Sequence, residues 1–277
     1  MVSEATVLSA LAAYREHIAA LNYRAMSAII PQIEEATMKD DPDIFESTEK
    51  EDSYRREYTL QLLGAYLHNT QPPIERPSDV LRHWDIIAPQ VGLDGTSVHH
   101  DSAWRAERRD AYRAAVLRGL ERIECPTGTW ALPTDFDIIM RHADSLEGPG
   151  WRLLRDTTEQ LIFWEGWGML GCHDVDVDKV EKSVRNGCDI IDQTIGIDEQ
   201  YDVAGGWTFG SGNEVACYAM YSQGLEEEDW SWRYVVSLGQ FGIEVFDDIA
   251  ALLDWYKTYG EPNDSDFEVI PDDVFQR

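Results

Sequence analysis

The chain of 277 residues carries 52 acidic and 23 basic side chains, for a formal net charge of −29. A field of that sign repels nucleic acid phosphates and anionic membrane surfaces and steers a basic protein partner inward, its blander use being solubility. The length can bury one large core or two modest ones. The start Met1-Val2-Ser3-Glu4 lacks the basic residues and apolar run of a secretory signal, and no apolar stretch has the length of a membrane span, so a soluble cytoplasmic protein is expected.

Val7, Leu11, Tyr14, Ile18, Leu21, Ala25 and Ala28 alternate spacings of four and three, which predicts one helix with an apolar seam of about three heptads, ended by Pro31. The seam must pack on neighbouring helices or on a second copy as a homodimer, and about three heptads is near the lower limit for an independent zipper. A second helix is predicted from Glu51 to His68, with Tyr54, Tyr58, Leu62 and Tyr66 on one face and Gln71-Pro72-Pro73 as its stop. A third spans Ser78 to Ala88 with Ser78 as cap, and a fourth starts at Ser102. Residues 1–100 therefore read as a helical region, with no strand expected before residue 90. The polar run Asp94 to Asp101 is a loop or boundary. Its His99, His100 and Asp101 have metal-ligand chemistry, but neighbours in a flexible backbone rarely converge on one ion.

Further on, Leu132-Pro133 opens a helix, because proline suits a first turn, and Phe136, Ile139 and Met140 follow at one-face spacing toward a stop near Gly148-Pro149-Gly150. Asp174-Val175-Asp176-Val177-Asp178 imitates the opening of a calcium loop. Lys179 replaces the glycine of the sharp turn and Arg185 the closing glutamate, so the reading is rejected. The cysteines, Cys125, Cys172, Cys188 and Cys217, have no paired spacing and read as reduced, buried structural thiols.

Charge and aromatic area then coincide. The last 119 residues hold 26 acidic against 6 basic side chains, and within them Glu226-Glu227-Glu228-Asp229 precede Trp230-Ser231-Trp232. Four consecutive carboxylates cannot be buried, so this is an exposed segment. Trp230 and Trp232 share a face if it is extended, either anchoring a partner as hot-spot aromatics or turned into the core. Next, Tyr234-Val235-Val236-Ser237-Leu238 and Ile243-Glu244-Val245-Phe246 flank Gly239-Gln240-Phe241-Gly242 and predict a hairpin. Asp247 and Asp248 then open a helix through Ile249, Leu252, Leu253 and Tyr256.

A helix over Ala114 to Ile123, the Leu-Pro helix, several strands, a Gly-rich turn at Gly205-Gly206-Trp207-Thr208-Phe209-Gly210 and a closing hairpin with its helix resemble the layout of the SUKH superfamily. That superfamily includes a yeast cell-wall synthesis regulator and many bacterial toxin-immunity proteins. The resemblance covers roughly residues 105–258. It departs from the pattern where the family's Asn-Gly turn is replaced by Asp144-Ser145-Leu146-Glu147-Gly148. It implies a SUKH-like unit at 105–258 built on a mainly antiparallel sheet packed by helices; with the helical N-terminal region before it and an acidic tail at 259–277 after it, the chain reads as α+β. The resemblance also implies partner recognition.

Enzyme motifs are weak. Gly210-Ser211-Gly212 lacks nucleophile-elbow spacing, Asp247-Asp248 lacks the further carboxylate of a magnesium-diphosphate site, and no phosphate loop with its lysine occurs. The favoured class is a noncatalytic protein-binding protein, regulatory or immunity-type, in which Glu226, Glu227, Glu228 and Asp229 steer a basic partner and Trp230 and Trp232 anchor it. No catalytic residue, cofactor or metal is expected. The alternatives are a hydrolase or lyase using carboxylates such as Glu165, and an acidic nucleic-acid mimic.

Overall fold

Burial outweighs a helix breaker at the start of the chain. In the computed structural model, which describes residues 2–37, 48–64, 70–98, 101–148, 161–163, 176–212, 215–261, 263 and 267–275, helix α1 (Glu4–Glu35) runs through Pro31 instead of ending there. Proline inside a helix costs about 3 kcal/mol. Ile29, Ile30 and Ile33 are buried around it, each contributing about 1.5–3 kcal/mol, so the turn survives. Val7, Leu11, Tyr14, Ile18, Leu21 and Ala25 are buried as the seam predicted, whereas Ala28 is exposed and Met26 takes its place. The seam is buried inside the chain.

The chain divides into two units. The helical unit comprises the described residues within 15–95 and 258–277. Besides its part of α1 it contains α2 (Thr48–Leu63), α3 (Asp79–Arg82), α4 (Trp84–Gln90) and α10 (Pro271–Val274). Helix α2 stops at Gly64, earlier than the diproline, and Tyr66 and His68 lie outside the described residues. The expected helix over 78–88 is two, broken at His83. Ser78 does not cap it; instead the Asp79 carboxylate accepts from the backbone N–H groups of Glu75 (3.0 Å) and Arg76 (2.9 Å). The expected acidic tail is also corrected. Phe267, Val269, Val274 and Phe275 are buried in one cluster with Ile29, Ile30, Ile33, Leu63 and Val80. Gln32 fixes that segment, donating to Phe267 O at 2.8 Å and accepting from Val269 N at 3.0 Å.

The other unit comprises the described residues within 1–14, 96–148 and 158–257 and is built on an antiparallel sheet of eight strands among the described residues. They are β1 (Thr96–Ser97), β2 (Ser145–Glu147), β3 (Leu161–Phe163), β4 (Val184–Asn186), β5 (Tyr201–Gly212), β6 (Val215–Gly224), β7 (Ser231–Ser237) and β8 (Ile243–Phe246). The order is β1-β2-β3-β5-β6-β7-β8, with β4 also pairing β5. The helices are α5 (Ser102–Leu120), α6 (Thr134–His142), α7 (Val177–Ser183), α8 (Gly187–Gln193) and α9 (Ile249–Tyr256). With α2 to α4 and α10 in the helical unit, this is an α+β protein.

Alternation along the strands gives the sheet two faces. On one, Phe136 of α6 packs edge-on against Trp207 (5.3 Å) and Phe209 (5.5 Å), and Tyr112 of α5 accepts from Trp207 Nε1 at 2.9 Å. On the other, Tyr218, Met220 and Val235 cluster with Ile190 of α8 and Ile197.

Three expectations change here. Gly205 to Gly210 is the middle of β5, not a turn. Asp144 to Gly148 does not continue α6; the helix ends at His142, Ala143 turns extended, and Ser145–Glu147 form a buried strand. Pro133 is the cap of α6, not its first residue. The predicted hairpin is present, with Tyr234 opposite Phe246 and Ser237 opposite Ile243. Gly239 and Gly242 turn it with φ of 58° and 105°, backbone that a side chain would strain. Helix α9 buries Ile249, Leu252, Leu253 and Tyr256, the four residues its spacing marked.

Candidate functional site

The register of β6 and β7 builds an aromatic wall. Tyr221 is paired directly with Trp232 and their rings lie 5.1 Å apart. Trp230, just before β7, reaches the same tyrosine at 5.8 Å. From the segment leading into α6, Trp130 meets Tyr221 at 5.5 Å and Trp232 at 6.0 Å. Two indoles are locked by backbone acceptors: Trp130 Nε1 donates to Ile123 O at 2.9 Å and Trp232 Nε1 to Ala131 O at 2.8 Å. Beneath them the buried Trp207 touches Trp232 edge-on at 5.3 Å. Trp230 and Trp232 are each half-buried, neither core nor free in solvent.

This wall lines a cleft of about 630 Å³, with Leu132 and Pro133 also lining it and Asp135, Asp247 and Asp248 supplying carboxylates. Each aspartate has a structural partner. Asp135 accepts from the Tyr234 hydroxyl (2.8 Å) and from the backbone N–H groups of Phe136 (3.0 Å) and Ile249 (2.9 Å), tying α6, β7 and α9 together. Burial and the Asp135 charge push the Tyr234 hydroxyl well above its ordinary value, so it stays a neutral donor. Asp248 caps α9 by accepting from Ala251 N at 2.9 Å. Asp247, exposed at the rim, sits 3.4 Å from Arg233 Nε, near enough for an ion pair but not aligned for a hydrogen bond.

The four acids do not act alike. Glu226, Glu228 and Asp229 are exposed beside the cleft, and none of the four lines it. Glu227 pairs with the buried Arg233 and accepts from Gly224 N at 3.2 Å. Its hydrogen bond to the guanidinium, and next the Gly224 amide, hold its carboxyl below the ordinary 4.5. Arg233 in turn donates to Ser222 O at 3.1 Å and stacks over Tyr201 at 4.8 Å. Glu227 is therefore a clamp on the loop. Sequence reasoning found Trp230 and Trp232 but missed Trp130, Tyr221 and the rim aspartates as their companions. Tyr221 is marked only by strand register, which is set by nonlocal pairing.

Other sites read from the sequence fall away. Asp176 caps α7, accepting from Lys179 N at 3.0 Å. Gly210 to Gly212 pair with β3. No group of three or more metal-ligating side chains converges among the described residues. His99, His100, Glu165 and Cys172 lie outside those residues. Cys125, Cys188 and Cys217 are free thiols, but only Cys217 is buried; Cys188 is exposed and Cys125 half-buried, which corrects the expectation for those two. Among the described residues no helix is long and apolar enough to cross a membrane. Comparison with family models, with curated proteins and with solved structures gives no match to the chain.

Proposed function

We propose that this is a noncatalytic binding protein of the cytoplasm, regulatory or immunity-type and of the SUKH kind, whose acidic, tryptophan-lined face captures a basic protein. The observation that carries this reading is the cleft where Trp130, Tyr221, Trp230 and Trp232 form one wall beside Asp247 and Asp248, flanked by the exposed Glu226, Glu228 and Asp229. Large aromatics with locked orientation lose little entropy on contact and are the usual anchors of interfaces, while exposed acids accelerate encounter with a cation-rich surface. The carboxylates in the cleft already serve the fold, as a cap, a three-donor acceptor and an ion-pair partner, which favours recognition over acid/base chemistry.

The test compares proteins retained from the source cell by the intact chain, by Glu226→Gln/Glu228→Gln/Asp229→Asn and by Trp230→Ala, at low and high salt. A basic protein held by the intact chain should associate more slowly and with flatter salt dependence on the triple variant. It should dissociate faster from Trp230→Ala, by a cost of about 2 kcal/mol or more. A partner retained equally by all three would refute this face as the binding surface.

A further inference from the structure

We propose that the cleft seats an arginine side chain of the basic partner, with its guanidinium stacked on the indoles of Trp130 and Trp230 and paired with Asp247 or Asp248. This rests on the cleft being the partner-binding face. An indole face attracts a cation through the ring quadrupole, and the planar, weakly hydrated guanidinium stacks where a compact ammonium keeps its water. Trp130 and Trp232 are held by their Nε1 bonds to Ile123 O and Ala131 O, so part of the wall is oriented before the ligand arrives. The rim supplies counter-charge: Asp247 has 86% of its side chain exposed, and its contact with Arg233 Nε is 3.4 Å and unaligned.

The alternatives fit less well. An acidic side chain would meet Asp247 and Asp248 as like charges, and a purely apolar one would strip water from them without compensation. Among the described residues the chain places its own arginines over aromatic rings, in one case with a paired acid at Glu227. Arg233 lies 4.8 Å over Tyr201 while paired to Glu227, and Arg108 lies 4.5 Å over Trp104. The volume of about 630 Å³ falls inside the range of about 300–1,000 Å³ that ligand pockets span, ample for one long side chain.

The probes are hexaarginine amide and hexalysine amide, titrated separately into the full chain at low salt. Heat of binding gives affinities, and the indole N–H signals give location. Hexaarginine should bind about fivefold or more tightly than hexalysine, shifting the signals of Trp130, Trp230 and Trp232. Trp230→Leu should cost hexaarginine more affinity than hexalysine and so shrink the preference. Equal affinities with unmoved indole signals would overturn the arginine seat yet leave an acidic partner-binding face standing. Failure of both peptides to bind at low salt would overturn that face as well. The indole signals of the unaltered protein decide the matter even if Trp230→Leu fails to fold.

Discussion

Replacing Asp135 with alanine should destabilise the sheet unit by about 2–7 kcal/mol. The carboxylate accepts from the Tyr234 hydroxyl and the Ile249 N–H, and both residues are fully buried. Leaving each donor unpaired costs about 1–3 kcal/mol. Losing an acid at the start of α9 adds about 0.3–1 kcal/mol. Tyr234→Phe alone should cost only about 1 kcal/mol, since Asp135 keeps its backbone donors. The double variant separates this account from generic damage: with the hydroxyl gone there is one fewer orphan, so Asp135→Ala/Tyr234→Phe should be more stable than the two single costs predict by about 1 kcal/mol or more. Urea midpoints followed by tryptophan fluorescence, with the slope checked for constancy, measure all three. A loss under about 1 kcal/mol for Asp135→Ala, or strict additivity, would refute the clamp.

Glu227 contributes to stability through a lowered pKa, so its contribution is complete above 4.5 and is lost as pH falls through the depressed folded value. Glu227→Gln should flatten the acid limb of urea midpoints collected from neutral pH downward, and an unchanged limb would contradict the Arg233 clamp. Cys188, exposed, should react with a thiol reagent in the native protein, whereas Cys217, buried and with its thiol pushed well up by burial, should react only on unfolding. Equal rates for the two would be inconsistent with this packing. Gly206→Ala should cost about 1–3 kcal/mol or more, because its Cβ would fall 2.1 Å from the Ala219 carbonyl oxygen on the paired strand. An urea midpoint like that of the unaltered chain would show that the strands separate freely.

What was legible in the sequence was what neighbouring residues settle. The Tyr234 to Phe246 hairpin and α9 could be read because two glycines, alternating strands and one helical stripe lie within a short stretch. The misreadings came from effects carried across the chain. Gly205 and Gly206 looked like a turn, yet they are small because Arg185 O and Ala219 O on adjoining strands approach to 3.0 and 2.1 Å of where a Cβ would sit. Pro31 looked like a stop until burial of its isoleucine neighbours outweighed the missing hydrogen bond. Phe267 and Phe275 sit among acids in what read as an acidic tail, but Gln32, more than two hundred residues away, holds their segment in the core. In the site, Trp230 and Trp232 stood out by composition. Trp130 and Tyr221 join them only through the register of β6 and β7 and the bond to Ala131 O.

The central claim is that one face of the sheet unit, centred on the tryptophan cleft, binds a basic protein. The most direct test is amide hydrogen exchange on the full chain with and without the partner obtained by differential capture. Protection should centre on Thr129 to Asp135, Tyr221, Trp230 to Trp232 and Asp247-Asp248. Protection confined to α7 and β4, or to the helical unit, with the cleft segments exchanging as in the free protein, would contradict it.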